Sequence, residues 1–260
     1  MPPTGNRSST PATITSPRSP AELAAVGLAR VAEATEQLLE VVEELDDAAM
    51  RRPSLCPGWS RGHVVSHLAR NADALVNLLT WARTGVEHPM YASRADRDAD
   101  IEEGANRPWR LLEEDLIAAC ERFTVAAEKL PESAWQAEVV SSRGTAFQAW
   151  EIPWIRLQEV WIHLIDLDCG LEFGDLPAED TEGLLDSVVR EFDGRPDVPS
   201  LLLTAELPDG RQRSWEINGS DPNTPRFSVR GPVADMLAWL TGRGDGAGLS
   251  GDLPELPAWI

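Results

Sequence analysis

Between residues 21 and 170 the sequence carries four segments with apolar residues at three- and four-residue steps, each closed by a helix-ending residue. Four helices of that length in one stretch restrict the fold to an α-helical bundle. The first, AELAAVGLARVAEATEQLLEVVEELDDAAM from Ala21, is rich in Ala and Glu and predicts one long amphipathic helix ending before Pro53. The second opens at Ser60, whose hydroxyl can cap free backbone amides, with Trp59 and Val64 placed for a hydrophobic staple. It runs to about Thr84, where Gly85 can end it. PWRLLEEDLIAACERFTVAAEKL starts with Pro108 in a tolerated first-turn position and stops at Pro131. The fourth, IPWIRLQEVWIHLIDLDCG, has Pro153 near its start and Gly170 past its end.

After about residue 175 the pattern changes. A helix around Glu179 to Glu191 leads into PSLLLTAEL, RSWEI and RFSVRG, short runs punctuated by Pro-Asp-Gly and Asn-Gly that read as strands joined by tight turns. GPVADMLAWLTGRG adds a last helix. The predicted class is α+β: residues 21–172 form the bundle, and 173–260 form a small α+β domain packed on it. Residues 1–20 are mostly Pro, Ser and Thr and predict a disordered tail. No internal repeat is visible.

Composition excludes several functions. Acidic residues outnumber basic ones 43 to 23, and the net charge of −20 repels a phosphate backbone, so nucleic acid is a poor partner. No window approaches the roughly 18 apolar residues of a spanning helix. Cys56, Cys120 and Cys169 are odd in number, with no C-x-x-C pair and no signal-peptide pattern ahead of them, so a reducing cytoplasm is the expected compartment.

Two helices carry residues with chemistry. On the second, His63 and His67 form an H-x-x-x-H pair, but at about 100° per residue the apolar stripe places His67 at its edge and His63 toward solvent. Taken singly, His67 reads better as a border histidine bonded to a carbonyl or water. The fourth helix is apolar round most of its circumference, and its exceptions, Arg156, Glu159, His163 and Asp166, share one sector of about 80°. That sector is either a solvent-facing strip or a functional face. Glu159 and His163, at i and i+4, can aim an oxygen and a nitrogen at one ion. With His67 they make three protein ligands and leave a position for water or substrate, as catalytic zinc sites do. Imidazole and carboxylate suit zinc best, though other first-row ions also accept them.

The run CPGWSRGHVVSHLARNADALVNLL, then WARTG and PMY, EVWIHLIDL, WLTGRG and DLPELPAWI closely resembles the mycothiol-dependent maleylpyruvate isomerase family. The resemblance spans nearly all of the chain after the tail and is densest in the second and fourth helices. It implies a DinB-like metal-binding four-helix bundle followed by a small α/β domain similar to sterol-carrier proteins. It places the family's metal ligands on His67, Glu159 and His163, and an arginine serving activity on Arg243, whose planar fork suits a substrate carboxylate. Without it, Arg243 reads as a cation favoured near a helix end.

The implied activity is conversion of maleylpyruvate to fumarylpyruvate, in the gentisate route of aromatic breakdown, with mycothiol and a divalent metal as cofactors. Conjugate addition of a thiolate makes the blocked double bond single, rotation follows, and elimination restores it as trans. Two other functions share the same ligands: a mycothiol S-transferase acting on another electrophile, and a metal-binding protein without catalysis. Because the family brings its thiol as a cofactor and no base is evident near Cys56, that cysteine reads as structural, as do Cys120 and Cys169. The ten tryptophans read as packing, with Trp81 or Trp161 able to wall a pocket. The expected partners are the small-molecule substrate and the thiol, with no membrane, and a monomer suffices.

Overall fold

The computed structural model describes residues 18–219 and 226–259. Residues 1–17, which hold most of the tail expected from composition, lie outside the described residues.

Helix α1 (Pro20–Glu43) starts with a capping box in which the Ser19 hydroxyl accepts from the Glu22 amide and the Glu22 carboxylate accepts from the Ser19 amide. It buries Ala24, Val31, Ala34, Leu38 and Val42 along one stripe. The single helix expected to reach Pro53 breaks instead. Asp46 accepts from the Ala49 amide and starts a separate turn, α2 (Asp47–Met50), because a short carboxylate caps a new helix better than it extends an old one. Helix α3 (Arg61–Thr84) opens at Ser60 and ends at Gly85, which takes the left-handed conformation at φ 69° that a side chain would resist. Helices α5 (Trp109–Glu128) and α6 (Ile152–Asp166) match the third and fourth segments. In the bundle α3 packs on α5 and α6, and α1 packs on α6.

Two elements between these helices were not read from the sequence. A two-stranded hairpin, β1 (Glu138–Val140) with β2 (Ala146–Gln148), joins α5 to α6 and buries Val139. Helix α4 (Arg94–Ala105), RADRDADIEEGA, has no apolar stripe and buries only Ile101 and Gly104. It docks on α3 at Gly104, where a Cβ would overlap the Ser66 hydroxyl, so only glycine permits this approach.

The chain continues with α7 (Ala178–Phe192), β3 (Leu201–Glu206), β4 (Gln212–Ile217), β5 (Phe227–Pro232), α8 (Val233–Leu240) and β6 (Ser250–Gly251). The sheet order is β4-β3-β5-β6, with β3 antiparallel to β4 and parallel to β5. Pro208-Asp209-Gly210 turns β3 into β4, with Gly210 at φ 81°, and Leu203 lies opposite Trp215. Alternate residues Leu201, Leu203 and Ala205 point into the core covered by α7 and α8. The α+β class is therefore as predicted. This domain is tied to the bundle through the buried Asp180 of α7, which accepts from Arg30 of α1 and from the Trp161 indole of α6 at 2.9 Å.

Candidate active site

The polar sector of α6 faces inward. Arg156, His163 and Asp166 are between 0% and 4% exposed, because α1, α3 and the C-terminal domain enclose the helix. Arg156 is a structural clamp. Its Nη1 donates to the Leu68 carbonyl at 2.9 Å and to Asn71 Oδ1 at 2.8 Å, and its Nη2 donates to Cys120 Sγ at 3.4 Å. Glu159 keeps 26% of its side chain exposed and marks the open side of the sector.

His67 of α3 meets Glu159 and His163 of α6 across the helix interface. Glu159 Oε2 lies 2.9 Å from His67 Nε2 and 3.4 Å from His163 Nε2, and the two imidazoles sit edge to face with centroids 4.6 Å apart. Two nitrogens and a carboxylate oxygen thus converge on one point, within 4.8 Å of one another, which fits a divalent cation with one open side.

Burial, more than any neighbour, pushes His67 down to about 4, so the ring is neutral at pH 7. For His163 burial works the other way from its partners. The Asp166 carboxylate, Cys56 and Glu159 outweigh it and raise this histidine well above its ordinary value. Burial would raise Glu159, but hydrogen bonds from both imidazoles hold it well below the usual carboxylate range. Ligation by His163 Nε2 would therefore release a proton, whereas the neutral His67 ring would only move its proton to Nδ1. Behind His163, Nδ1–H donates to Asp166 Oδ2 at 2.8 Å, the carboxylate–histidine pairing that fixes ring orientation and ligand basicity in metal sites.

Asp166 in turn is gripped by Arg243 from the C-terminal domain. Arg243 Nε donates to Oδ1 at 2.9 Å and Nη2 to Oδ2 at 2.8 Å, while Nη1 donates to the Thr241 carbonyl at 2.5 Å. The guanidinium also lies over the Trp259 ring. The fork expected to hold a substrate carboxylate is thus already filled by a protein carboxylate. The fully buried Asp166 needs this counter-charge, since an unpaired charge there would be costly.

Cys56 is not isolated, as its sequence context suggested. Its thiol donates to Asp166 Oδ2 at 3.1 Å and accepts from Arg243 Nη2 at 3.8 Å, with His163 Nδ1 4.0 Å away. These partners lie more than a hundred residues along the chain, where spacing gives no signal. Cys56, His163 and Asp166 also lie close enough to share an ion, but the Arg243 charge on the same atoms opposes a cation there.

His63 is no ligand. Its Nδ1 lies 3.2 Å from the Ser60 amide and its Nε2 lies 3.0 Å from Glu102 of α4, so it caps α3 and is covered on the side expected to face solvent. Trp161 is wholly buried and committed to Asp180, so it walls no pocket; the tryptophan beside the donor set is Trp59, its ring 5.4 Å from His67. The sequence reading also passed over Tyr91 and Arg97. Arg97 Nη2 donates to His67 Nδ1 at 3.3 Å, and its guanidinium lies 5.8 Å from the Tyr91 ring centre. Burial first, then the charge of Glu159, raises the Tyr91 phenol above its ordinary value, so it is a hydrogen-bond donor at neutral pH.

Fold and site together define a helical bundle with an open three-ligand donor set, braced from behind by an ion pair that a small α+β domain supplies. Family models agree with this architecture. Residues 31–168 match the mycothiol maleylpyruvate isomerase N-terminal domain, and residues 175–258 match the C-terminal domain of the same family. The chain belongs to the mycothiol-dependent maleylpyruvate isomerase family. Two solved structures, of a mycothiol-dependent maleylpyruvate isomerase and of its histidine-to-alanine mutant, are each 30% identical with a TM-score of 0.79, covering 91% of this chain and 97% of theirs. No curated protein matches the chain.

Proposed function

We propose that this protein is a mycothiol-dependent isomerase that converts maleylpyruvate to fumarylpyruvate at a divalent-metal site. The carrying observation is the convergence of His67 Nε2, Glu159 Oε2 and His163 Nε2 around one point, in a chain of this family. A bound divalent ion, best zinc for this donor set, supplies Lewis acidity, and mycothiol supplies the sulfur whose reversible addition lets the substrate's double bond rotate.

The chain's own residues do the rest. His67 is kept neutral by burial and so retains a lone pair. Asp166 holds the proton of His163 on Nδ1, leaving Nε2 for the site. Arg243 anchors Asp166 and so acts on the site through two other side chains. Glu159 is partly exposed and lies where ligands enter. Each group is preset before substrate arrives, so little reorganisation is needed during reaction. The partners are the substrate and the thiol. The three proposed ligands and the side chains that brace them converge within a single chain, which supports a site that needs no partner subunit. The unpaired cysteines support a reducing cytoplasm, and among the described residues no helix is long and apolar enough to cross a membrane.

The test is maleylpyruvate turnover, followed by absorbance, with and without mycothiol, for the zinc-loaded wild type and for His67→Ala. Thiol-dependent turnover that vanishes in the folded variant supports the assignment. A zinc-loaded wild type inactive with mycothiol present overturns it and directs attention to S-transfer onto other electrophiles.

A further inference from the structure

A substrate with two carboxylates, approaching a chain of net charge −20, needs a cation at the site that is not already neutralised by a buried carboxylate. Three of the arginines near the donor set are committed. Arg243 forks onto Asp166, Arg156 is buried on Leu68, Asn71 and Cys120, and Arg61 donates to the Asp168 carbonyl. Arg97 differs. Its Nη1 pairs with the exposed Asp98 at 2.8 Å, a pair that solvent weakens, whereas Nη2, which reaches the site, has His67 Nδ1 as its hydrogen-bond partner at 3.3 Å.

We propose that Arg97, with the Tyr91 hydroxyl close to it, is the subsite that takes a carboxylate of the substrate, and that Arg243 takes none. This rests on the reaction assigned above. A guanidinium has donors only, so the contact with His67 requires a lone pair on Nδ1. When His67 offers Nε2 as its lone pair, the ring proton sits on Nδ1 and Arg97 loses that acceptor. A ligand carboxylate then restores it, and the planar fork suits such a partner. The Tyr91 phenol, whose ring centre lies 5.8 Å from the Arg97 guanidinium, adds a neutral donor beside it. Tyr91 and Arg97 also line a cleft with Arg70, Asp73, Asp96 and Asp100, whose three carboxylates disfavour an anion there, so we place the carboxylate on the His67 side of Arg97. Arg97 is thus a specificity-determining residue for anionic substrates.

The test uses the full zinc-loaded protein as wild type, R97M and R97K. Calorimetry with maleate, no thiol present, measures binding of a cis dicarboxylate; chelator competition measures zinc affinity; turnover gives KM and kcat. The expected result is maleate affinity and KM worse by about 10- to 100-fold in R97M, the loss of a charge-assisted pair, with partial recovery in R97K. Zinc affinity should be unchanged or higher, because a donor competing for His67 is gone. The subsite is overturned if R97M binds maleate as the wild type does, if the wild type binds none, or if R97M loses zinc, which would make Arg97 a support for His67. A wild type that binds maleate through Arg97 yet turns over no maleylpyruvate defeats the reaction assignment and leaves the subsite standing. Normal turnover with an unchanged KM in R97M does the reverse.

Discussion

Replacing Asp166 with asparagine keeps the side chain's shape and removes its charge, at a position where the structure lets the cost be counted. Oδ2 receives three donors: His163 Nδ1–H at 2.8 Å, Arg243 Nη2–H at 2.8 Å and the Cys56 thiol at 3.1 Å. Oδ1 receives Arg243 Nε–H at 2.9 Å. An amide offers one oxygen. Placed at Oδ2, it turns its NH2 against Arg243 Nε–H; flipped, it opposes three donors. Either way a buried donor loses its acceptor, about 1–3 kcal/mol, and Arg243, whose side chain is only 11% exposed, loses its counter-charge. The expected destabilisation is about 3 kcal/mol, the low end for breaking a buried pair. His163 also loses its orienting carboxylate, which should weaken zinc binding about 10- to 100-fold. Urea unfolding of the metal-free protein and zinc competition against a chromophoric chelator measure the two effects. pH supplies a further check. Burial would raise Asp166, but His163 and Arg243 outweigh it and hold its carboxyl far below the usual range. Its stabilisation is therefore complete above the unfolded-state value of about 3.9 and is lost as pH falls through the folded-state value, so D166N should flatten the acid limb of the stability curve. Unfolding within about 0.5 kcal/mol of wild type, with zinc affinity within about twofold, would refute the reasoning, since changes that small are typical of surface sites.

Gly104→Ala should force α4 away from Ser66 and cost about 1–3 kcal/mol, read as a fall in Tm by calorimetry; an unchanged Tm would mean that α4 shifts without penalty. Removing metal with a chelator should leave the far-UV circular dichroism intact, because Glu159 accepts from both histidines when no ion is bound. Restoring zinc at about 1,000 times its Kd should add about 4 kcal/mol and raise Tm by roughly 8–16 °C; no shift would remove the ion from the folded state's energetics.

The bundle was legible because α1, α3, α5 and α6 each carry an apolar stripe and a recognisable end. Helix α4 was not, since only Ile101 and Gly104 are buried and its remaining side chains are polar or small; the Ser93 cap accepting from the Asp96 amide was its one local signal. The break at Asp46 was hidden because Ala and Glu on both sides favour helix, and only the cap decides. His67, Glu159 and His163 could be proposed from i, i+4 spacing and from the resemblance, and the structure brings them together. Whether α6's polar sector faced water could not be read from one helix, because the answer lies in the C-terminal domain that covers it. Cys56, Tyr91 and Arg97 reach the site from loops and from α4, where no periodicity points to a direction.

The contact between Arg243 and Asp166 also bears on how the protein is made. Arg243 lies 77 residues further along the chain than Asp166. The bundle, with all three proposed ligands, therefore leaves the ribosome well before the guanidinium that balances the Asp166 charge has been translated. During that interval Asp166 has no counter-ion from the unfinished domain, and His163 has no fixed carboxylate behind it. Completion of the site is thus timed by folding of the last domain, and the nascent bundle should hold a metal ion more weakly than the finished protein does.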